Sequence, residues 1–345
     1  MTLALDQREL AVATRGLVKR YGRQPALLGL DMSVPKGTVY GFLGPNGSGK
    51  TTTLRLLVGL IKPDAGSMVL LGEPYTWRDR TRLYRVGAMI ETPAFYPYMS
   101  ARDNLRVIAA TGAPTAPSRI DQVLDYVGLL GRAKDQYKTY SLGMKQRLGI
   151  AAALVSDPDL LILDEPANGL DPAGMAAMRD TLRWLTEQGK TVLISSHLLD
   201  EMEQLADVVG IVDRGRLIKE GPLSEMLAAA GRIRVRVPRD EMSRAAAVLR
   251  AMAPDKPLYG VDSGPQAGTF TVSIEGARAS HVNRALAEAG IYASMIEPGS
   301  DLEHLFLQLT THVGAEPGPP PPSMGDLPTP PLHAFPEPPR AEVET

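Results

Sequence analysis

Residues 44–51 read Gly-Pro-Asn-Gly-Ser-Gly-Lys-Thr, an ungapped match to the phosphate-loop pattern G-x-x-x-x-G-K-[ST]. No other stretch constrains the fold as much, because this pattern works only between a strand and a helix. Residues Gly44, Pro45, Asn46, Gly47, Ser48 and Gly49 form a tight loop whose backbone N–H groups make a nest for the β-phosphate of a nucleotide. Lys50 reaches toward the β- and γ-phosphates, and the Thr51 hydroxyl suits Mg²⁺. The flanks agree. Residues 38–43 are an apolar strand entering the loop, and 51–60 predict a helix whose positive end faces the phosphates.

A phosphate loop needs a carboxylate for the metal and a group that orients water. The run Leu-Leu-Ile-Leu-Asp164-Glu165-Pro supplies both. Four apolar residues make a buried strand, and Asp164 leaves its end beside the loop as a Mg²⁺ ligand. Glu165 follows, pointing to the other side of the strand end, as a general base for the attacking water.

Composition narrows the alternatives. At 345 residues the chain has room for two domains and a tail. A formal net charge of −2 gives no electrostatic reason to expect a nucleic-acid partner. With no cysteine there are no disulfides, thiol nucleophiles or thiolate metal sites. The start of the chain lacks the basic and apolar regions of a signal peptide. No apolar run reaches the roughly 18 residues of a membrane span. A soluble chain that acts at a membrane through a partner is the expectation.

Across about 10–222, short apolar runs alternate with helical segments, the pattern of an α/β domain with a largely parallel sheet. Strands are expected over 69–71, 86–90, 160–164, 191–195 and 208–213, and helices over 101–111 and 119–127, joined by a proline-bearing loop over 112–118. After 222 the pattern changes. Ile233, Val235 and Val237 alternate with arginines as a strand with one buried face. A helix over 241–252, a strand over 269–274, a helix over 279–289 and a strand over 291–296 complete a small α+β unit of ferredoxin-like type. Ser300-Asp-Leu-Glu303 is a capping box that starts a last helix to about 311. The tail from 314 carries 11 of the 29 prolines, so it cannot build a core.

With those motifs in place, residues 10–222 resemble the nucleotide-binding subunit of ATP-binding cassette (ABC) transporters. Tyr140-Ser141-Leu142-Gly143-Met144 stands where that family carries Leu-Ser-Gly-Gly-Gln, with Leu142 and Met144 departing from it. Without the family, Ser141 is an ordinary helix N-cap. The resemblance implies that Ser141 and Gly143 cap the γ-phosphate of ATP held by a second copy of the chain. It also implies that Tyr21 stacks on adenine, that Thr52 joins the loop in binding nucleotide, and that Asp171, in Asn168-Gly-Leu-Asp171, belongs to a loop crossing between two sites. His197, after the strand ending Ile-Ser-Ser, matches a histidine that contacts the γ-phosphate. Glu91 stands where the family usually has glutamine, as a third candidate for Mg²⁺.

The resemblance implies a phosphate-loop NTPase of ABC type over 1–222, with a helical subdomain over about 92–156. An α+β accessory domain over 223–312 and a disordered proline-rich tail over 313–345 follow. Met89-Ile-Glu-Thr-Pro-Ala-Phe-Tyr-Pro and Asp301-Leu-Glu-His-Leu-Phe look like the bacitracin- and drug-exporter branch. The implied function is ATP hydrolysis, with ATP and Mg²⁺ bound in a homodimer. That dimer would energise a multi-span permease from the cytoplasmic face of the cell membrane. The permease is expected to dock near 91–99. The rival is a soluble cassette ATPase acting on ribosomes or DNA. Such proteins usually carry two cassettes or a long coiled coil, and neither is present here.

Overall fold

The computed structural model describes residues 7–91, 94–112, 115–230, 232–254, 258–261, 268–273, 279–298, 302 and 306. The helix expected over 300–311, apart from Leu302 and Phe306, and the proline-rich tail lie outside the described residues.

In chain order the elements are β1 (Leu10–Tyr21), β2 (Gln24–Pro35), β3 (Val39–Leu43), α1 (Lys50–Leu57), β4 (Ala65–Leu70), β5 (Glu73–Tyr75), β6 (Val86–Met89), α2 (Ala101–Thr111), α3 (Pro117–Tyr126), α4 (Leu142–Leu154), β7 (Leu160–Asp164), α5 (Pro172–Glu187), β8 (Thr191–Ser196), α6 (Leu199–Leu205), β9 (Val208–Asp213) and β10 (Arg216–Pro222). Then come α7 (Leu223–Ala230), β11 (Arg232–Arg236), α8 (Met242–Met252), β12 (Leu258–Val261), β13 (Thr269–Ser273), α9 (Ala279–Glu288) and β14 (Met295–Pro298).

A six-stranded sheet in the order β10-β9-β3-β8-β7-β6 carries the nucleotide motifs. All its neighbours are parallel except the antiparallel edge strand β10. β3, β7, β8 and β9 are buried throughout, which is why they read as unbroken apolar runs. Alternate residues face opposite cores. Leu161 and Leu163 of β7 pack with the helices α2 to α6, while Leu160 and Ile162 pack with α1 and a second sheet.

That second sheet, β2-β1-β4-β5, is antiparallel, and of its strands the sequence pattern showed only the end of β4, expected over 69–71. The reason lies in β1. Its register against β2 shifts between Thr14 and Leu17 and again between Lys19 and Arg20, and Gly16 sits at φ 58°. Bulges of this kind break the two-residue period that marks a strand.

Several element ends also differ from expectation. β4 begins at Ala65 rather than 69, and α3 begins at Pro117 rather than 119, since proline suits the first turn of a helix. α1 stops at Leu57 rather than near 60, because Gly59 takes φ 68° and closes the helix. Its N–H donates to Leu56 O, and the Leu60 N–H donates to Arg55 O. The strand expected from 291 begins at Met295, because Ile291 is used to close α9 by donating to Leu286 O.

Residues after 231 form a β-α-β-β-α-β unit with sheet order β12-β13-β11-β14, every neighbouring pair antiparallel. This is the split-βαβ arrangement. Ile233, Val235, Phe270 and Val272 of the sheet meet Ala245, Leu249, Val282 and Leu286 of the two helices in one apolar core. Leu302 returns to the large core and donates its N–H to Glu203 on α6.

Candidate functional site

The site begins where β3 runs out. A Cβ at Gly44 would lie 2.4 Å from the Val212 carbonyl oxygen and 2.5 Å from Ser48 Oγ, so the loop can press against β9 only as glycine. Gly49 caps α1 at φ 110°, another conformation that excludes most side chains. The loop is tied to the β9–β10 turn by Gly215 N–H donating to Ser48 O at 2.8 Å. Within this cradle the buried Lys50 Nζ donates to Gly44 O at 2.6 Å and to Pro45 O at 3.4 Å. Ser48 Oγ is buried without a hydrogen-bond partner among the described residues. Asn46 and Gly47 are exposed at the rim, and Thr52 is buried on α1.

β7 and β8 run parallel and in register, Asp164 opposite Ser195. That register builds the acidic half of the site. Asp164 Oδ2 accepts from Thr51 Oγ1 at 2.8 Å, and its Oδ1 accepts from Ser195 Oγ at 2.5 Å. Burial pushes the Asp164 carboxyl above the usual carboxylate range, and the two hydroxyls partly pull it back. Glu165 has left-handed backbone, φ 48°, and its N–H is held by Ser195 through both Oγ at 3.0 Å and O at 3.2 Å. That turn sends the Glu165 side chain between two partners. Oε1 lies 3.4 Å from Lys50 Nζ, and Oε2 lies 2.7 Å from His197 Nδ1. The His197 N–H also donates to Oε2 at 3.3 Å.

Lys50, Thr51, Asp164, Glu165 and His197 thus meet in one network. Sequence reasoning missed its sixth member, Ser195, which touches both acids. The available signal was two serines ending an otherwise apolar strand.

A second cluster holds Ser141, Gly143 and Asp171. Ser141 caps α4, its Oγ accepting from Met144 N–H at 3.2 Å, and Asp171 caps α5, its Oδ1 accepting from Gly174 N–H at 3.0 Å. The two caps come together because the exposed Leu142 lies over Gly169, where a Cβ would sit 2.3 Å from Leu142 Cδ2. Among the described residues no hydrogen bond joins this cluster to the first. Tyr21 ends β1 with Lys19 Nζ 5.8 Å from its ring centre and its hydroxyl buried. Glu91, expected at Mg²⁺, has its carboxylate on the Arg55 guanidinium of α1, with backbone φ 65°.

These features can grip a phosphate chain, hold a divalent cation by hydroxyl and carboxylate, and present a carboxylate base. Known proteins resemble this chain over the region that holds these residues. The family model described as "ABC transporter" matches residues 27–168. The chain is 37% identical over 303 residues to the bacitracin transport ATP-binding protein BcrA of Enterococcus faecalis, covering 87% of this chain and 96% of that one. It is 38% identical over 308 residues to the daunorubicin resistance ATP-binding protein DrrA3 of Streptomyces coeruleorubidus, covering 88% and 96%. A solved ATP-binding subunit of an ABC transporter superposes with a TM-score of 0.58 at 28% identity, covering 63% of this chain and 91% of that one.

Proposed function

This chain belongs to the ABC transporter family as one of its ATP-hydrolysing cassettes, and we propose that it drives export of an antibiotic-like, drug-like or lipid cargo through a separate membrane permease. The observation that carries the reading is the convergence of Lys50, Thr51, Asp164, Glu165 and His197 on the phosphate loop.

The loop N–H groups and Lys50 bind and orient the phosphates. Thr51 Oγ1 and Asp164 Oδ2, 2.8 Å apart, are the hard oxygen pair that fits Mg²⁺, which would neutralise phosphate charge there. Glu165 takes the proton of the attacking water. His197 holds Oε2 of that carboxylate, and Ser195 fixes its backbone, so the base is oriented before substrate arrives. Ser141 and Gly143 of a second copy close the site over the γ-phosphate, which makes the working unit a homodimer. Their place at the start of α4 supports this role, because a helix N-terminus presents free N–H groups to an anion.

Among the described residues no helix is long and apolar enough to cross a membrane. In the proposed complex the permease supplies the span and holds the chain at the cytoplasmic face of the cell membrane. Tyr96 and Tyr98, 60% and 74% exposed, offer it an aromatic surface just before α2. Cargo chemistry does not reside in this chain. Two relatives of nearly equal identity are named for chemically different antibiotics. The soluble-cassette alternative is not favoured by relatives named for transport and drug resistance.

The test is to co-express the Glu165→Gln chain with its neighbouring genes and extract with detergent and ATP. A stoichiometric multi-span protein should co-purify. Ribosomal or DNA-bound partners without one would sink the proposal.

A further inference from the structure

Glu91 is one of the residues at which the chain departs from the family pattern, and among the described residues Arg55 is the buried cation that the nucleotide site does not use. The structure puts them together. Arg55 is 4% exposed and lies four residues after Thr51, one turn deeper on the same face of α1, about 6 Å along the axis. A guanidinium this buried requires a counter-charge. Among the described residues Glu91 is the acid that pairs with it, and the Arg55 Nε finds no acceptor. Glu91 in turn sits in left-handed backbone just beyond β6, a conformation that a glutamate holds only when its surroundings fix it.

Charge explains the arrangement. The end of the parallel sheet carries Glu91, Asp164 and Glu165 close to a loop built for phosphates. Asp164 is held by two hydroxyls, Glu165 faces Lys50, and Glu91 faces Arg55. A glutamine at 91 would need no such partner.

We propose that Arg55 is a positioning residue for Glu91. Its guanidinium fixes the loop after β6 against α1 and cancels a carboxylate charge that would otherwise oppose the phosphates of bound nucleotide. The nucleotide helix and the end of β6 are then tied by one ion pair. The inference rests on the nucleotide site proposed above.

The experiment measures binding of a fluorescent ATP analogue, with Mg²⁺, to the full-length chain and its Arg55→Met, Glu91→Gln and doubly substituted forms. Arg55→Met should weaken binding about tenfold or more, because it leaves the Glu91 charge uncompensated. Glu91→Gln should stay within about threefold of the parent, and the double substitution should recover to the Glu91→Gln level. If Arg55 served packing alone, Arg55→Met and the double form would lose affinity alike, and that result overturns the proposal. So does Arg55→Met binding like the parent. Should Arg55→Met not fold, Arg55→Lys decides. The lost planar fork should cost about threefold, restored by Glu91→Gln, and unchanged affinity overturns the assignment. A parent chain that binds no nucleotide overturns the site reading itself. Parent binding without rescue overturns only the role of Arg55.

Discussion

The nucleotide site and the C-terminal β-α-β-β-α-β unit are both sheets faced by helices, yet they handle charge in opposite ways. Among the described residues the buried charged side chains Lys50, Arg55, Asp164, Asp213 and Glu220 all lie between 10 and 222. The C-terminal unit has Thr269 as its buried polar side chain and otherwise closes on aliphatic residues and Phe270. Burying charge opposes folding unless each group is paired. A region that keeps five such groups is shaped by something besides packing, and a region that keeps none needs no further explanation for its pattern. The contrast separates the region that carries the working residues from the region that does not.

The sharpest way to break this contrast is at Glu165. Replacing it by Gln removes the proton acceptor and leaves the shape, so turnover should fall by about 10²-fold or more while nucleotide still binds. Phosphate release by the chain with its membrane partner reads the first, and equilibrium binding the second. Turnover within threefold of the parent would take the base assignment from Glu165.

Leu249→Ala attacks the other region. Leu249 is fully buried in the C-terminal core, and truncation there should destabilise that unit by about 3 kcal/mol. Hydrogen exchange should quicken in β11 and β13 while nucleotide affinity holds within about twofold. A parallel loss of affinity would show that the two regions do not stand apart.

Ser141→Ala removes the cap of α4, at a cost of about 1 kcal/mol in urea unfolding. If Ser141 serves a second copy as proposed, ATP-dependent association of the Glu165→Gln chain also weakens, as read by light scattering. Loss of stability with unchanged association leaves only the cap.

The smallest effect concerns pH. Burial pushes the Glu220 carboxyl upward, opposed by bonds from Ser33 N–H and Tyr40 Oη. A raised folded value means its contribution to stability is fully present below the ordinary glutamate value of about 4.3, and is lost as pH rises through the folded value. Glu220→Gln should therefore flatten the decline in that window. Urea unfolding of both forms from mildly acidic to neutral pH checks this, and identical slopes refute it.

How legible each part was follows from the same division. The phosphate loop and the Asp164–Glu165 strand end could be read directly, because phosphate chemistry fixes both residue type and spacing. The parallel strands showed as apolar runs because they are covered on both faces. Ser195 was hidden because its partners lie across a parallel ladder, a relation that local pattern does not carry. Arg55 was hidden because an arginine in a helix reads as surface. Only the end of β4 showed from the antiparallel sheet, because the bulges in β1 break the period of its longest strand pair.

The contact between Leu142 and Gly169 favours one order in which this chain can change over time. Position 169 sits at φ 78°, which among the larger residues asparagine, aspartate and histidine adopt most readily. A side chain there would meet the end of Leu142, which would have to turn away toward solvent. Shrinking residue 142 first makes growth at residue 169 easier. A change made in the reverse order must first displace Leu142 from its place over the turn. The two positions are therefore expected to couple, so that enlarging 169 and shrinking 142 together should cost less than the sum of the two changes made singly.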